Sequence, residues 1–122
     1  MKLNQDLVRL LLLQIEDKTG PYEPLELSDI SIKDYSYEEI LYTTERLLEA
    51  GYIKARLETT DLHRDQVIYS LTWDGHKFLD TVRDNVVWRR TNDIVKKLSS
   101  VSLSLILHIG EQVILDMVRT GC

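Results

Sequence analysis

The sequence predicts an α+β fold, and three successive segments carry that prediction. Residues 37–50 have the pattern of an amphipathic helix that ends at Gly51, and two segments of alternating polarity follow it. Thr72 then opens another helix. A helix, a β-hairpin and a second helix, in that order, form the second half of a winged-helix domain. We therefore predict a winged helix-turn-helix-like domain with a β-hairpin wing and additional C-terminal helices.

The composition is that of an ordinary soluble globular protein. A chain of 122 residues is long enough for one hydrophobic core, and 43% of the residues are hydrophobic and 29% charged. We assign residues 1–122 to a single domain, with the winged-helix core at 1–80 and a C-terminal helical extension at 81–122. The net charge of −5 counts against a protein that holds DNA mainly by neutralising phosphates, without excluding it.

Cysteine, histidine and apolar runs indicate neither a metal site nor a membrane segment. Cys122 is the single cysteine and the three histidines are scattered, so we expect no internal disulfide, no metal site and no cofactor. The apolar run at residues 10–13 is too short for a membrane span or a signal core. We expect a cytoplasmic protein that does not bind membranes.

The first helix is predicted over residues 5–17. Asn4 is a favourable N-cap, and apolar residues recur at helical spacing. The predicted apolar face consists of Leu7, Val8, Leu11, Leu12 and Ile15. Leu10 and Leu13 lie off that face, so we expect the C-terminal part or a second subunit to cover this helix. Residues 25–32 alternate instead, which predicts a short strand where an ordinary helix-turn-helix has its positioning helix.

The helix at residues 37–50 has the clearest sequence signals. Ser36 and Glu39 have the spacing of a capping box, and Gly51 suits the left-handed position after a helix. The predicted buried stripe is Ile40, Leu41, Thr44, Leu47 and Leu48. The wing follows as strands at residues 52–58 and 66–71 with a long polar tip. Its predicted inward side chains are Ile53, Ala55 and Leu57 on one strand and Val67, Tyr69 and Leu71 on the other.

The C-terminal part is predicted to be helical. After the helix that Thr72 caps, Asp84 and Asn85 allow either one kinked helix or two, and the sequence leaves both open. Residues 103–118 form a strongly apolar helix, with more apolar surface than the last helix of a monomer covers. We therefore predict a homodimer. Its candidate interface residues are Leu103, Ile106, Leu107, Val113, Ile114 and Met117.

Two short segments resemble bacterial winged-helix regulators. Residues 47–53 (LLEAGYI) resemble a recognition helix turning into its wing, and residues 69–75 (YSLTWDG) resemble the return strand entering the next helix. Together with residues 2–9 and the block from Leu71 to Trp88, the chain is similar over most of its length to a small uncharacterised family of bacterial and phage proteins. Its most specific mark is the run LTWDGHxFLD at residues 71–80. The resemblance implies a winged-helix fold and a prophage origin, and it implies no established activity or site.

The first functional hypothesis is binding of double-stranded DNA, as in small bacterial or phage repressors. In this arrangement the helix enters the major groove and the wing contacts the backbone or the minor groove. The candidate contact residues are Tyr37, Tyr42, Thr43 and Arg46 on the helix, and Lys54, Arg56, His63 and Arg64 on the wing. The helix also carries four glutamates, and carboxylates facing phosphates weaken binding.

The alternative hypothesis is a protein–protein interaction module without nucleic-acid binding. It uses the acidic, tyrosine-bearing helix face and the apolar C-terminal helix. We do not predict an enzyme, because no nucleophile elbow, phosphate loop or metal spacing is present. His76 and Asp80 are four residues apart, which favours a surface pair between them over catalysis. Gly75 is predicted to allow close packing, and Trp73 and Trp88 to be core or interface aromatics.

Overall fold

The computed structural model describes residues 1–60 and 64–121, and within them the α+β class is confirmed. The helices are α1 (Gln5–Lys18), α2 (Tyr37–Glu49), α3 (Trp73–Val82), α4 (Asn85–Val95) and α5 (Leu103–Thr120), and the strands are β1 (Leu25–Glu26), β2 (Ile53–Thr59) and β3 (Arg64–Leu71). The strands form an antiparallel sheet in the order β1–β3–β2. The chain divides into two compact units, Met1–His76 and Lys77–Cys122.

Helix α1 begins at the predicted cap. The Leu7 backbone N–H donates to Asn4 Oδ1 at 3.0 Å, and all five residues of the predicted apolar face are buried. Leu10 is exposed and Leu13 is half-buried, so the chain itself leaves part of α1 open to solvent. Two leucines outside the main stripe are tolerated because part of any protein surface is apolar. Cover by a second subunit stays a prediction.

The segment between α1 and α2 is extended over a shorter length than its alternation predicts. β1 contains two residues, which pair with Val67 and Ile68 of β3. The chain then enters a 3-10 turn at Leu27–Asp29. Leu25, Leu27 and Ile30 are nevertheless all buried, because a tight turn also returns apolar side chains to the core at short intervals.

Helix α2 has the predicted ends. The Glu39 backbone N–H donates to Ser36 Oγ at 3.1 Å, and the Ser36 N–H donates to Glu39 Oε1 at 3.2 Å. At the other end Gly51 has φ 78°, and the Tyr52 N–H donates to the Leu47 carbonyl at 2.9 Å. These contacts form the capping box and a Schellman end, respectively. Both ends are confirmed.

Both predicted strands of the hairpin are present, but the side chains that point inward differ from the predicted ones. Ile53 pairs with Leu71 and Ala55 pairs with Ile68, so the register shifts between Lys54 and Ala55 and β3 has one extra residue. Because such a bulge changes which face the following side chains occupy, Tyr69 is exposed, whereas Ile68 is buried. The prediction that Tyr69 points inward and Ile68 outward is therefore wrong. Gln66 is buried and Leu57 is exposed, also contrary to the prediction.

The structure decides between one kinked helix and two. α3 ends at Val82, and Asp84 caps a separate helix α4 by accepting hydrogen bonds from the Val86 and Val87 N–H groups at 2.8 and 3.1 Å. Val87 is buried in α4, and so are Thr91 and Val95. The first N–H groups of a helix have no partner within the helix, and here the Asp84 side chain accepts hydrogen bonds from two of them. A new helix can therefore begin at this point.

Helix α5 is capped by Ser102, whose hydroxyl accepts a hydrogen bond from the Leu105 N–H at 3.1 Å. The helix approaches Thr81 and Thr91 closely at Gly110, where an added Cβ would lie 2.9 Å from Thr81 Cγ2. Within residues 1–60 and 64–121, none of the helices combines the length and apolar character needed to cross a lipid bilayer.

Candidate functional site

The candidate site is the surface formed by α2, β2 and β3, which we call the helix–hairpin face. The helix and the hairpin are tied together at the start of α2 and the start of β3. The Tyr37 hydroxyl donates to the Arg64 carbonyl oxygen at 2.6 Å, and the Arg64 guanidinium lies 3.0 Å from the Glu45 carboxylate. The hairpin is thereby fixed along the helix, so the two elements present one surface.

The arginines on this face pair with carboxylates of the same face. Arg46 lies 2.6 Å from Glu49 and Arg56 lies 2.9 Å from Glu58, in addition to the Arg64 pair. Exposed pairs of this kind add about 1 kcal/mol or less to stability, but they offset the charge that a phosphate would meet. Among the described residues of this face, the exposed Lys54 is in no ion pair.

The predicted DNA-contact residues are brought together only in part. Tyr42 lies beneath Arg46, with 5.0 Å from the guanidinium carbon to the ring centroid. Thr43 is only 4% exposed and its hydroxyl donates to the Glu39 carbonyl oxygen at 2.8 Å. The expectation that Thr43 lies on the outer face is therefore wrong, because the stripe that α2 buries is wider than predicted. His63 lies outside the described residues.

A small cavity adjoins the helix–hairpin face next to Tyr42. Its volume is about 200 Å³, and it lies between the N-terminal end of α1 and α2. Its lining residues are Met1, Lys2, Asn4, Leu7, Glu39, Tyr42 and Thr43. A carboxylate beside an aromatic ring can receive a basic side chain, which makes an ion pair with one and stacks on the other.

His76 has a different neighbour from the one that the sequence predicts. His76 Nδ1 lies 3.7 Å from Glu16 Oε2, whereas Asp80 lies 3.0 Å from Arg83. The predicted pair of His76 with Asp80 is wrong, because each finds its partner elsewhere. In the described part of the chain, no three His, Cys, Asp or Glu side chains are grouped to hold a metal ion.

Two aromatic side chains lie open to solvent, Trp73, which the sequence predicts to be a core or interface aromatic, and Tyr22, for which the sequence gives no functional signal. Trp73, in the first turn of α3, is 85% exposed, and Tyr22, in the turn after α1, is 95% exposed. Trp88, by contrast, is buried. Helical periodicity could not separate the two tryptophans, because Trp73 begins a helix whose apolar face starts only at Phe78.

The candidate dimer residues of α5 divide into two groups. Ile106 and Val113 are buried inside the chain's own fold. Leu103, Leu107, Ile114 and Met117 are half-buried, and the apolar side chains most open to solvent are instead Leu105, Leu115 and Val118. The outward apolar stripe of α5 is therefore offset from the predicted one.

The Tyr37 contact predicts a pH-dependent stability. Burial, followed by the Asp65 carboxylate, raises the pKa of the Tyr37 phenol above its ordinary value of 10.0. The unfolded chain therefore loses this proton at a lower pH than the folded chain. The stability that Tyr37 contributes is complete below pH 10 and is lost as the pH rises through the folded pKa.

We expect Tyr37→Phe to lower the free energy of unfolding by about 1 kcal/mol at neutral pH, because the Arg64 carbonyl loses its donor. The difference from wild type should shrink above about pH 10. Urea unfolding at several pH values measures both effects. Tyr22→Phe, at an exposed ring, is the matched control. A Tyr37→Phe difference that stays constant with pH would contradict the prediction.

Comparisons with known proteins place the chain in a family. The family described as "Hypothetical protein (DUF2513)" matches residues 2–102. The chain is similar to an "Uncharacterized protein" of Haemophilus influenzae (strain ATCC 51907 / DSM 11121 / KW20 / Rd), with 32% identity over 119 residues that cover 96% of this chain and 98% of the relative. No solved structure matches the chain. On the family match and this relative together, the chain belongs to the DUF2513 family of hypothetical proteins.

Proposed function

We propose that this protein acts by binding, without catalysis, and that its partner is a protein presenting basic side chains to α2. One observation carries the proposal: the three arginines of the helix–hairpin face are each paired with a glutamate of the same face. Their charge is offset before any partner arrives. A surface of this kind suits a protein partner better than a phosphate backbone.

The charges that remain on α2 are acidic. Glu38 is exposed, and Glu39 lines the 200 Å³ cavity beside Tyr42. An arginine or lysine of the partner would place its charge against Glu39 and its apolar stem against the Tyr42 ring. Tyrosine and arginine are the side chains that most often dominate binding energy in interfaces, so we place the centre of the contact at this cavity.

Double-stranded DNA is the second candidate, in the manner of a winged-helix regulator of phage or prophage type. The order α2, β2, β3, α3 favours it, because a helix followed by a hairpin is the arrangement in which winged helices contact DNA. Lys54 and Arg56 on the hairpin would then contact phosphates. DNA is the weaker candidate because α2, β2 and β3 together carry four basic side chains and six acidic ones.

Site-specific photocrosslinking separates the two candidates. The protein is produced in its native cells with a photoreactive amino acid at position 42. Irradiation is then expected to crosslink it to another protein. The same group at position 89, on the exposed surface of α4, is the control and should not give this crosslink. Glu38→Lys should reduce the yield at position 42 about threefold to tenfold, since it places a like charge against a basic partner.

Nucleic-acid binding is tested on the same protein. Fluorescence anisotropy with random double-stranded DNA is expected to show no binding even at low salt. Binding that weakens steeply as salt is added, together with nucleic-acid adducts at position 42, would overturn the first candidate and support the second.

A further inference from the structure

β2 has one open edge, and charged and apolar side chains alternate along it. The sheet order β1–β3–β2 leaves β2 at the edge, bonded to β3 on one side. Over the described residues no strand pairs with its other side. Five of its seven residues are exposed, and the strand contains no proline. The register shift lies between Lys54 and Ala55, so the part from Ala55 onward is regular and can accept another strand.

The charges along this edge alternate in sign across an exposed leucine. Arg56 and Glu58 flank Leu57, which is 48% exposed. Arg56 and Glu58 are two residues apart and point to the same face, where they lie 2.9 Å from each other. Leu57 points to the opposite face. The strand therefore offers opposite charges on one face and an apolar side chain on the other.

We propose that β2 pairs antiparallel with β2 of a second copy, with the two-fold axis at Leu57. In this register Arg56 of each chain lies directly opposite Glu58 of the other, and the two Leu57 side chains lie opposite each other. Two ion pairs and one apolar contact then form across the axis, and all paired positions fall within residues 54–60. Cross-strand pairs of both kinds stabilise antiparallel sheets, and a two-fold interface requires this self-complementarity.

The neighbouring registers are unfavourable, which makes the pairing specific. An axis at Arg56 would place the two Arg56 side chains opposite each other, and an axis at Glu58 would do the same for Glu58. An axis at Ala55 would place Lys54 opposite Arg56. Like charges directly opposite each other destabilise a sheet, so the charge pattern that blocks other pairings of this edge permits the one at Leu57.

Charge reversal tests the proposal through complementation. Arg56→Glu should place two carboxylates opposite each other across the axis, and Glu58→Arg should place two guanidinium groups there. Each variant alone is expected to self-associate about tenfold more weakly than wild type in sedimentation equilibrium. An equimolar mixture of the two should form a heterodimer, because every cross-strand pair is then a glutamate opposite an arginine. Both variants lose the pair within the chain, so its restoration cannot explain the recovery.

Lys33→Glu changes the net charge by the same amount as Arg56→Glu at an exposed position outside the sheet, and it should dimerise like wild type. Circular dichroism checks that each variant is folded. Wild type that stays monomeric over the whole concentration range would overturn the proposal, and so would a mixture that fails to form heterodimers. If Leu115→Glu on α5 abolished dimerisation while Arg56→Glu left it unchanged, the dimer contact would lie on α5 and the proposal would be wrong. This test is independent of the partner proposed for α2.

Discussion

Gly75→Ala is expected to lower the free energy of unfolding by about 3 kcal/mol, the largest loss among the substitutions considered for this chain. A Cβ at this position would lie well inside van der Waals contact of the Tyr52 carbonyl oxygen and 3.0 Å from the carbonyl carbon. The obstacle is backbone, which cannot rotate away as a flexible side chain does. The same carbonyl accepts the Thr72 N–H at 3.0 Å, so moving it would also disturb the bond at the start of α3.

Helix propensity alone predicts the opposite change, because alanine is a better helix former than glycine. A loss of stability would therefore report the close approach to Tyr52. In an exposed helix interior, Gly→Ala gains about 1 kcal/mol from propensity alone. Urea unfolding followed by circular dichroism gives the measured change. Gly20→Ala is the control, because a Cβ at this position would lie an ordinary 3.7 Å from Glu23 Cβ. This substitution should change the free energy of unfolding by less than about 0.5 kcal/mol. A Gly75→Ala variant as stable as the control would show that α3 does not approach Tyr52 as described.

Gln66→Met is expected to raise the free energy of unfolding by about 1–3 kcal/mol. Gln66 is 0% exposed, and among the described residues neither its Nε2 nor its Oε1 has a hydrogen-bond partner. A buried amide without partners keeps the cost of leaving water. Methionine has nearly the same length and shape and carries no such cost, so the exchange should stabilise the fold without opening a cavity.

Thermal and urea unfolding of the Gln66→Met variant measure the gain. Gln112→Met is the matched control: it makes the same chemical change at an exposed position of α5 and should stay within about 0.5 kcal/mol of wild type. A loss of stability in Gln66→Met would mean that the amide is satisfied in solution. Gln66 would then stabilise the fold through a hydrogen bond of its side-chain amide.

The sequence predicts the helix ends well because each end depends on residues close together in the chain. The capping box joins Ser36 to Glu39, and the Schellman end joins Gly51 and Tyr52 to the preceding turn. Contacts of this range are made in nearly any environment, so their residue types identify them. The same reason explains why Thr72 is correctly predicted to open α3.

The hairpin faces could not be predicted by alternation. A single extra residue at Tyr69 shifts the phase of the alternation in β3, and no residue type marks that position as a bulge. The pattern Val67, Ile68, Tyr69 is apolar at every position and fits either phase. Only the pairing with β2 selects one, because it buries Ile68 and exposes Tyr69.

The sequence by itself determined the α+β class, the order of the helix, hairpin and helix from α2 to α3, the capped ends of α2 and the close packing at Gly75. These follow from local backbone geometry and from apolar spacing. The tertiary structure alone decided the electrostatics of the candidate site, since Glu45 and Arg64 are 19 residues apart and meet only when the hairpin lies along α2. Whether a surface arginine is available to a partner depends on its neighbours in space. The order of residues along the chain does not show which neighbours these are.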